Sequence, residues 1–295
     1  PLGMGLTLPL AFAAQAEAPA EVADLSVVQA LVVAALMFAI GASLVPVMRK
    51  ASARLLGSTP PRVPSFLPLD LLVVALAFVF GQVLVVEAYR FWSGAAELDL
   101  ESLGVIPALG LSAASQGLAV AVVVVLALRR EDGVATLGLR GLTPGARGAF
   151  AGVCYLLSIP TLMGLGALTA AIFAAQGAGP PVQEVAVLVE EGLSENPLLI
   201  GALVALVIPL LEEILFRGFL LELLVSRAGT AVGVVVSSAL FALLHGVSAF
   251  LPIFGLALVL AGVKLRTRSL GAVWAVHALH NGATTLLITG GGLPT

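Results

Sequence analysis

Three short patterns in the last third of the chain set chemically capable side chains at helical spacing: Glu212-Glu213-x-x-x-Arg217, Phe241-x-x-x-His245 and His277-x-x-x-Asn281. Glu213 and Arg217 stack on one helix face as an ion pair, with the carboxylate on the favourable N-terminal side. Glu212 lies about 100° round the helix, and its own i+4 neighbour is Phe216, so it has no partner on its helix. A carboxylate placed that way suits a general base or acid. His277 and Asn281 present an imidazole and an amide to the same point in space. A carboxylate, two imidazoles and an amide meeting in one place would suffice to activate water and stabilise an oxyanion, the two requirements of peptide hydrolysis.

Each element of this set has a plainer reading. Glu213 with Arg217 taken alone is a structural ion pair, and His245 alone is an interhelical hydrogen bonder. His280 points roughly 80° away from the midpoint of His277 and Asn281, which gives it a packing or hydrogen-bonding role. Glu222 falls near a helix end and reads as an interfacial charge. Cys154, the single cysteine, is a small buried hydrophobe and excludes an intrachain disulfide. The combination outweighs its parts, because all three histidines of the chain fall within the last four apolar segments.

The elements that must carry these residues are membrane spans. The 295 residues are 60% hydrophobic and 11% charged, with a mean hydropathy of +1.12, far from the quarter or so of charged residues usual in soluble domains. Apolar runs punctuated by Pro, Gly and charge predict eight helices near 26–47, 69–89, 105–128, 149–175, 197–225, 231–246, 250–264 and 270–289. The sixth and seventh are short for a hydrocarbon core of about 30 Å, so one or both are expected to tilt or re-enter. At about 1.5 Å per residue the polar side chains lie roughly 10 to 21 Å from the cytoplasmic ends of their spans, close enough to meet near mid-membrane. Ionisable residues at that depth normally face a bundle interior or a cavity and carry function.

Loop charges set the orientation. Arg49, Lys50, Arg54, Arg62, Arg129, Arg130, Arg140, Arg147, Arg227, Lys264, Arg266 and Arg268 all fall on one side, so twelve of the fourteen basic residues share a face. Arg90 alone lies on the other, whose loops are acidic, and Arg217 is inside a span. The excess of basic residues places that face in the cytoplasm and both termini outside it. Within the longest outer loop, 176–196, Val185, Val187, Leu188, Val189 and Leu193 have the makings of a short surface helix, although a linker is the simpler expectation. The expected organisation is an N-terminal tail over 1–25, one transmembrane helical domain over 26–289 with the chemical motifs in 210–281, and a C-terminal tail over 290–295. Pro1, Leu2 and Gly3 before Met4 read as a cloning scar.

The three motifs, in this order and in the C-terminal part of an eight-helix protein, resemble the CPBP family, the CAAX protease and bacteriocin-processing group of intramembrane proteases that includes the type II CAAX prenyl endopeptidases. The Leu137-Gly138-Leu139-Arg140 turn matches more weakly. The resemblance implies an all-α polytopic fold around an intramembrane catalytic cavity, with Glu212 and His245 activating water, His277 and Asn281 stabilising the oxyanion, and Glu213, Arg217 and Phe241 supporting the site. It also raises a metal, since Glu212, His245 and His277 would make a reasonable zinc set; water activation with no cofactor is the expectation ahead of zinc. No His-Glu-x-x-His, Gly-x-Ser-x-Gly or Gly-x-Gly-Asp signature is present.

Two other functions use the same residues: an ion- or proton-coupled transporter whose buried carboxylates bind cations, and an inactive family member serving as a membrane scaffold or immunity protein. The expected partners are membrane lipid and a protein or peptide substrate, not nucleic acid. The Ala, Gly, Val and Leu richness suggests a high-GC bacterium, hence a bacterial inner membrane and a substrate such as a peptide precursor, a lipid-linked protein or a C-terminal sorting tail.

Overall fold

The computed structural model describes residues 27–56, 66–94, 103–139, 145–178 and 184–289. The two tails, Arg62 and Arg140 lie outside the described residues. Those described form ten helices and no strand: α1 Val27–Leu56, α2 Pro68–Ser93, α3 Val105–Leu128, α4 Gly133–Leu137, α5 Ala146–Ala175, α6 Glu184–Glu195, α7 Pro197–Ala228, α8 Thr230–Leu243, α9 Phe250–Thr267 and α10 Leu270–Thr289. Helices thus cover all eight predicted segments. Six of them (α1, α2, α3, α5, α7 and α9) are long and apolar enough to cross a membrane, and the protein is an integral membrane protein. The 14-residue α8 reaches only about 21 Å, as its short apolar run predicts. The 20-residue α10 carries His277, His280 and Asn281, and is not among the six.

Segment 184–195 is a helix and not a linker. Val189 and Leu193 of α6 are buried with Val105 of α3 and Ile200 of α7, so this helix docks on the bundle through its apolar stripe. Asn196 then starts α7, its Oδ1 accepting the Leu199 N–H at 3.2 Å, with Pro197 in the first turn. That is the pairing of side-chain cap and early proline that opens a helix most readily.

The ends of the helices that sequence charge assigns to one side are tied together there. Arg130 pairs with Asp70 at 2.7 Å, Arg227 donates to the Phe66 carbonyl at 3.2 Å, and Arg266 Nε donates to Ser52 Oγ at 2.6 Å. Glu222 is buried, not interfacial: it pairs with Arg268 at 3.1 Å and with the buried Lys264 at 3.5 Å. Its place near a helix end misleads because the α4 turn and the α9–α10 turn fold over it. Lys264 Nζ also donates to the carbonyls of Thr136 and Leu137, at 3.0 and 2.9 Å.

Gly138 closes α4 in the left-handed region, φ +85°, and its carbonyl accepts the Leu270 N–H at 3.0 Å. A Cβ there would lie 2.9 Å from Lys264 Nζ, 3.0 Å from Leu270 N and 3.1 Å from Arg268 O. Gly138→Ala is therefore expected to cost about 2 kcal/mol or more, the left-handed penalty plus the displaced contacts. A thermal midpoint in detergent within a degree of the parent's would show that this turn does not constrain the start of α10.

Candidate active site

The long helix α7 is not a uniform α-helix. It widens into π-helical turns at Leu203–Val207 and Ile214–Leu220, and the stretch between them, Ile208–Glu213, holds both glutamates. Such wide turns are frequent at functional sites, where they change which side chains share a face.

Glu213 is the structural centre. Its Oε1 accepts from Arg217 at 3.1 Å and from His277 Nδ1 at 2.7 Å, and none of the three side chains is more than 3% exposed. The guanidinium carbon of Arg217 sits 4.1 Å from the centroid of the Phe241 ring, a cation–π contact that gives the charge a second partner away from water. Phe241 is buried and touches both imidazoles, with centroids 4.5 Å from His245 and 5.9 Å from His277. The helical spacing predicts the Glu213–Arg217 pair. The third member, His277, lies on another helix, beyond the reach of a local pattern.

Glu212 approaches the other nitrogen of His277 and is partly accessible. Its side chain is 14% exposed, and its oxygens lie 3.8 Å from His245 Nε2 and 3.7 Å from His277 Nε2. These separations exceed a direct hydrogen bond and suit a bridging water. The tautomers follow from what each Nδ1 meets. His245 sits in the turn just past α8, and its Nδ1 donates to the Phe241 carbonyl at 2.8 Å. His277 Nδ1 donates to a carboxylate. In the neutral form both rings therefore turn an Nε2 lone pair towards Glu212.

Asn281 lies one turn along α10 from His277, and its Nδ2 donates to the Val204 carbonyl in the first π-helical turn at 3.0 Å. Its remaining amide N–H is a second donor. His280 contacts Tyr155 of α5, with Nδ1 to OH at 3.3 Å and an edge-on ring contact, in keeping with a packing and hydrogen-bonding role. Trp274, absent from the sequence reading, donates its indole N–H to the Leu206 carbonyl at 2.9 Å. It stands three residues before His277, so helical spacing alone would have placed it on the same face.

Glu212, His245 and His277 are the residues that would hold a metal, with the Glu212 oxygens 3.8 and 3.7 Å from the two Nε2 atoms. Among the described residues, no three His, Cys, Asp or Glu side chains are gathered so as to hold an ion, and Glu213, the best-placed second carboxylate, is taken by Arg217 and His277.

Residues 194–283 match the family model described as "Rce1-like: Type II CAAX prenyl endopeptidase Rce1-like". No curated protein and no solved structure gives a significant match. The matched region runs from the end of α6 to the far side of Asn281 and so takes in all three motifs and every contact of the Glu212–His245–His277 cluster. Over residues 194–283 the chain is therefore similar to the Rce1-like domain of type II CAAX prenyl endopeptidases.

Proposed function

We propose that the protein is an intramembrane endopeptidase in which Glu212 is the general base. The observation that carries this reading is the placement of one partly accessible carboxylate opposite two imidazole Nε2 atoms, at 3.8 and 3.7 Å, beside a fully buried ion pair that holds one of the rings.

The chemistry follows from those positions. A water held between Glu212 and His245 gives its proton to the Glu212 carboxylate, and its oxygen adds to the substrate carbonyl carbon. The carbonyl π electrons move to oxygen, and the oxyanion is met by the second N–H of Asn281 and by His277 Nε2–H when that ring carries both protons. In that form Arg217 and His277 balance the negative charges of Glu213 and the oxyanion while Glu212 holds the proton, as suits a site inside the bilayer. Collapse of the tetrahedral intermediate breaks the C–N bond as protonated Glu212 delivers its proton to the leaving amine. The products are a carboxylic acid and an amine, and one water is consumed.

The twelve basic residues on one side support an orientation with both termini outside the cytoplasm. With the composition they favour a bacterial inner membrane and a peptide precursor, lipid-linked protein or C-terminal tail as substrate. Comparative proteomics of secreted and membrane proteins in a Glu212→Gln strain is expected to reveal precursors that fail to shorten. A proteome indistinguishable from the parent's would overturn the protease reading. Elemental analysis of the purified protein is expected to find less than a tenth of an equivalent of zinc, and one equivalent lost together with activity on chelation would replace water activation by Glu212 and His245 with metal chemistry.

A further inference from the structure

Asn281 reaches into a gap that the covalent structure of α7 creates. In the first π-helical turn the Ile208 N–H donates to the Leu203 carbonyl, five residues back. In that register the Val204 carbonyl falls opposite the backbone nitrogen of residue 209, which is Pro209 and has no hydrogen. The carbonyl is left without a backbone donor inside a membrane span, where lipid offers none. Asn281 Nδ2 supplies the missing donor at 3.0 Å. Trp274 meets a second carbonyl of the same turn, that of Leu206.

We propose that Pro209 is a positioning residue. By withholding the N–H that would close the Val204 carbonyl, it makes that carbonyl the acceptor for Asn281 and so fixes the direction of the amide. One amide N–H is spent on Val204, and the other is held at a set angle beside His277. Only this last consequence rests on the protease reading, where the second N–H faces the reacting carbonyl. The grip itself is a property of the fold and is testable without substrate.

The chain contains two asparagines, Asn196 and Asn281, so protein labelled with ¹⁵N-asparagine in detergent micelles shows two side-chain amide groups. Asn281 is expected to show one proton shifted well downfield of its geminal partner. In Pro209→Ala, whose new N–H competes for Val204, the two resonances are expected to converge towards those of a free amide. Trp274→Phe, which removes the other donor to this turn, should leave them in place. Thermal unfolding supplies the second arm. Asn281→Leu should lower the midpoint in the Pro209 protein, and by less than half as much in Pro209→Ala, because the backbone N–H gained at position 209 then serves the carbonyl. Unchanged Asn281 resonances in Pro209→Ala, or equal midpoint losses in the two backgrounds, would overturn the proposal. If the coupling appears while Asn281→Leu still cleaves substrate normally, the oxyanion role fails and the positioning of the amide stands.

Discussion

Purified Glu212→Gln protein is expected to cleave a true substrate roughly 10²- to 10⁴-fold more slowly, the range for loss of a general base, with little change in KM. Glutamine keeps the size and planarity of the side chain but cannot take a proton from water, so the loss falls on the chemical step and not on binding. Glu212 takes no part in the Glu213–Arg217 pair, and its distances to the two imidazoles are those of a site that admits solvent. The thermal midpoint should therefore stay within a few degrees of the parent's. Glu213→Gln provides the contrast. It leaves Arg217 facing a neutral amide in a dry interior, and should lower the midpoint as well as the rate. Turnover of Glu212→Gln within tenfold of the parent's, measured on a precursor found in cells, would remove Glu212 from the base position.

The two neighbouring glutamates could be told apart in the sequence because the α-helical repeat separates adjacent residues by about 100° and gives only Glu213 a cation at i+4. The same repeat placed His277 and Asn281 on one face and set His280 aside. Local spacing cannot say which helix faces which. The Glu213–His277 contact at 2.7 Å and the Phe241 ring against Arg217 depend on the packing of α7, α8 and α10 together. The π-helical turns were hidden for a related reason: counting apolar positions presumes an α register, and a wide turn shows only once its carbonyls have been traced to their donors. Pro209 was nonetheless a visible sign, since a helix interior with proline has to place a carbonyl elsewhere. Glu222 shows the opposite error. Its position near a helix end suggested water, but the Gly138 turn covers that end, and Lys264 and Arg268 give the carboxylate two cations. Six of the eight expected spans stand out by length and apolarity; of the other two, α10 carries three of the polar residues that make the chain of interest.

Arg217→Met is expected to cost about 3–5 kcal/mol of stability, the range for stranding one partner of a buried ion pair. Methionine fills much of the apolar volume of the arginine stem, so the cost measures the charge left behind on Glu213 more than a cavity. It also removes the cation from the face of Phe241, whose ring contacts both histidines. The double variant Glu213→Gln/Arg217→Met separates the two roles of the pair. Replacing both partners of a buried ion pair by neutral groups is often neutral or stabilising, so its midpoint in detergent should recover most of the loss seen in Arg217→Met. Activity should not recover with it. Without a carboxylate on Nδ1, His277 loses the hydrogen-bond partner that fixes the direction of its ring. A double variant that is stable and slow would establish the pair as support for His277 as well as for the helix. One as unstable as Arg217→Met would mean that Glu213 serves the fold through His277 and not through Arg217, and a single variant that loses less than about 1 kcal/mol would mean that the pair is screened by water as a surface pair is.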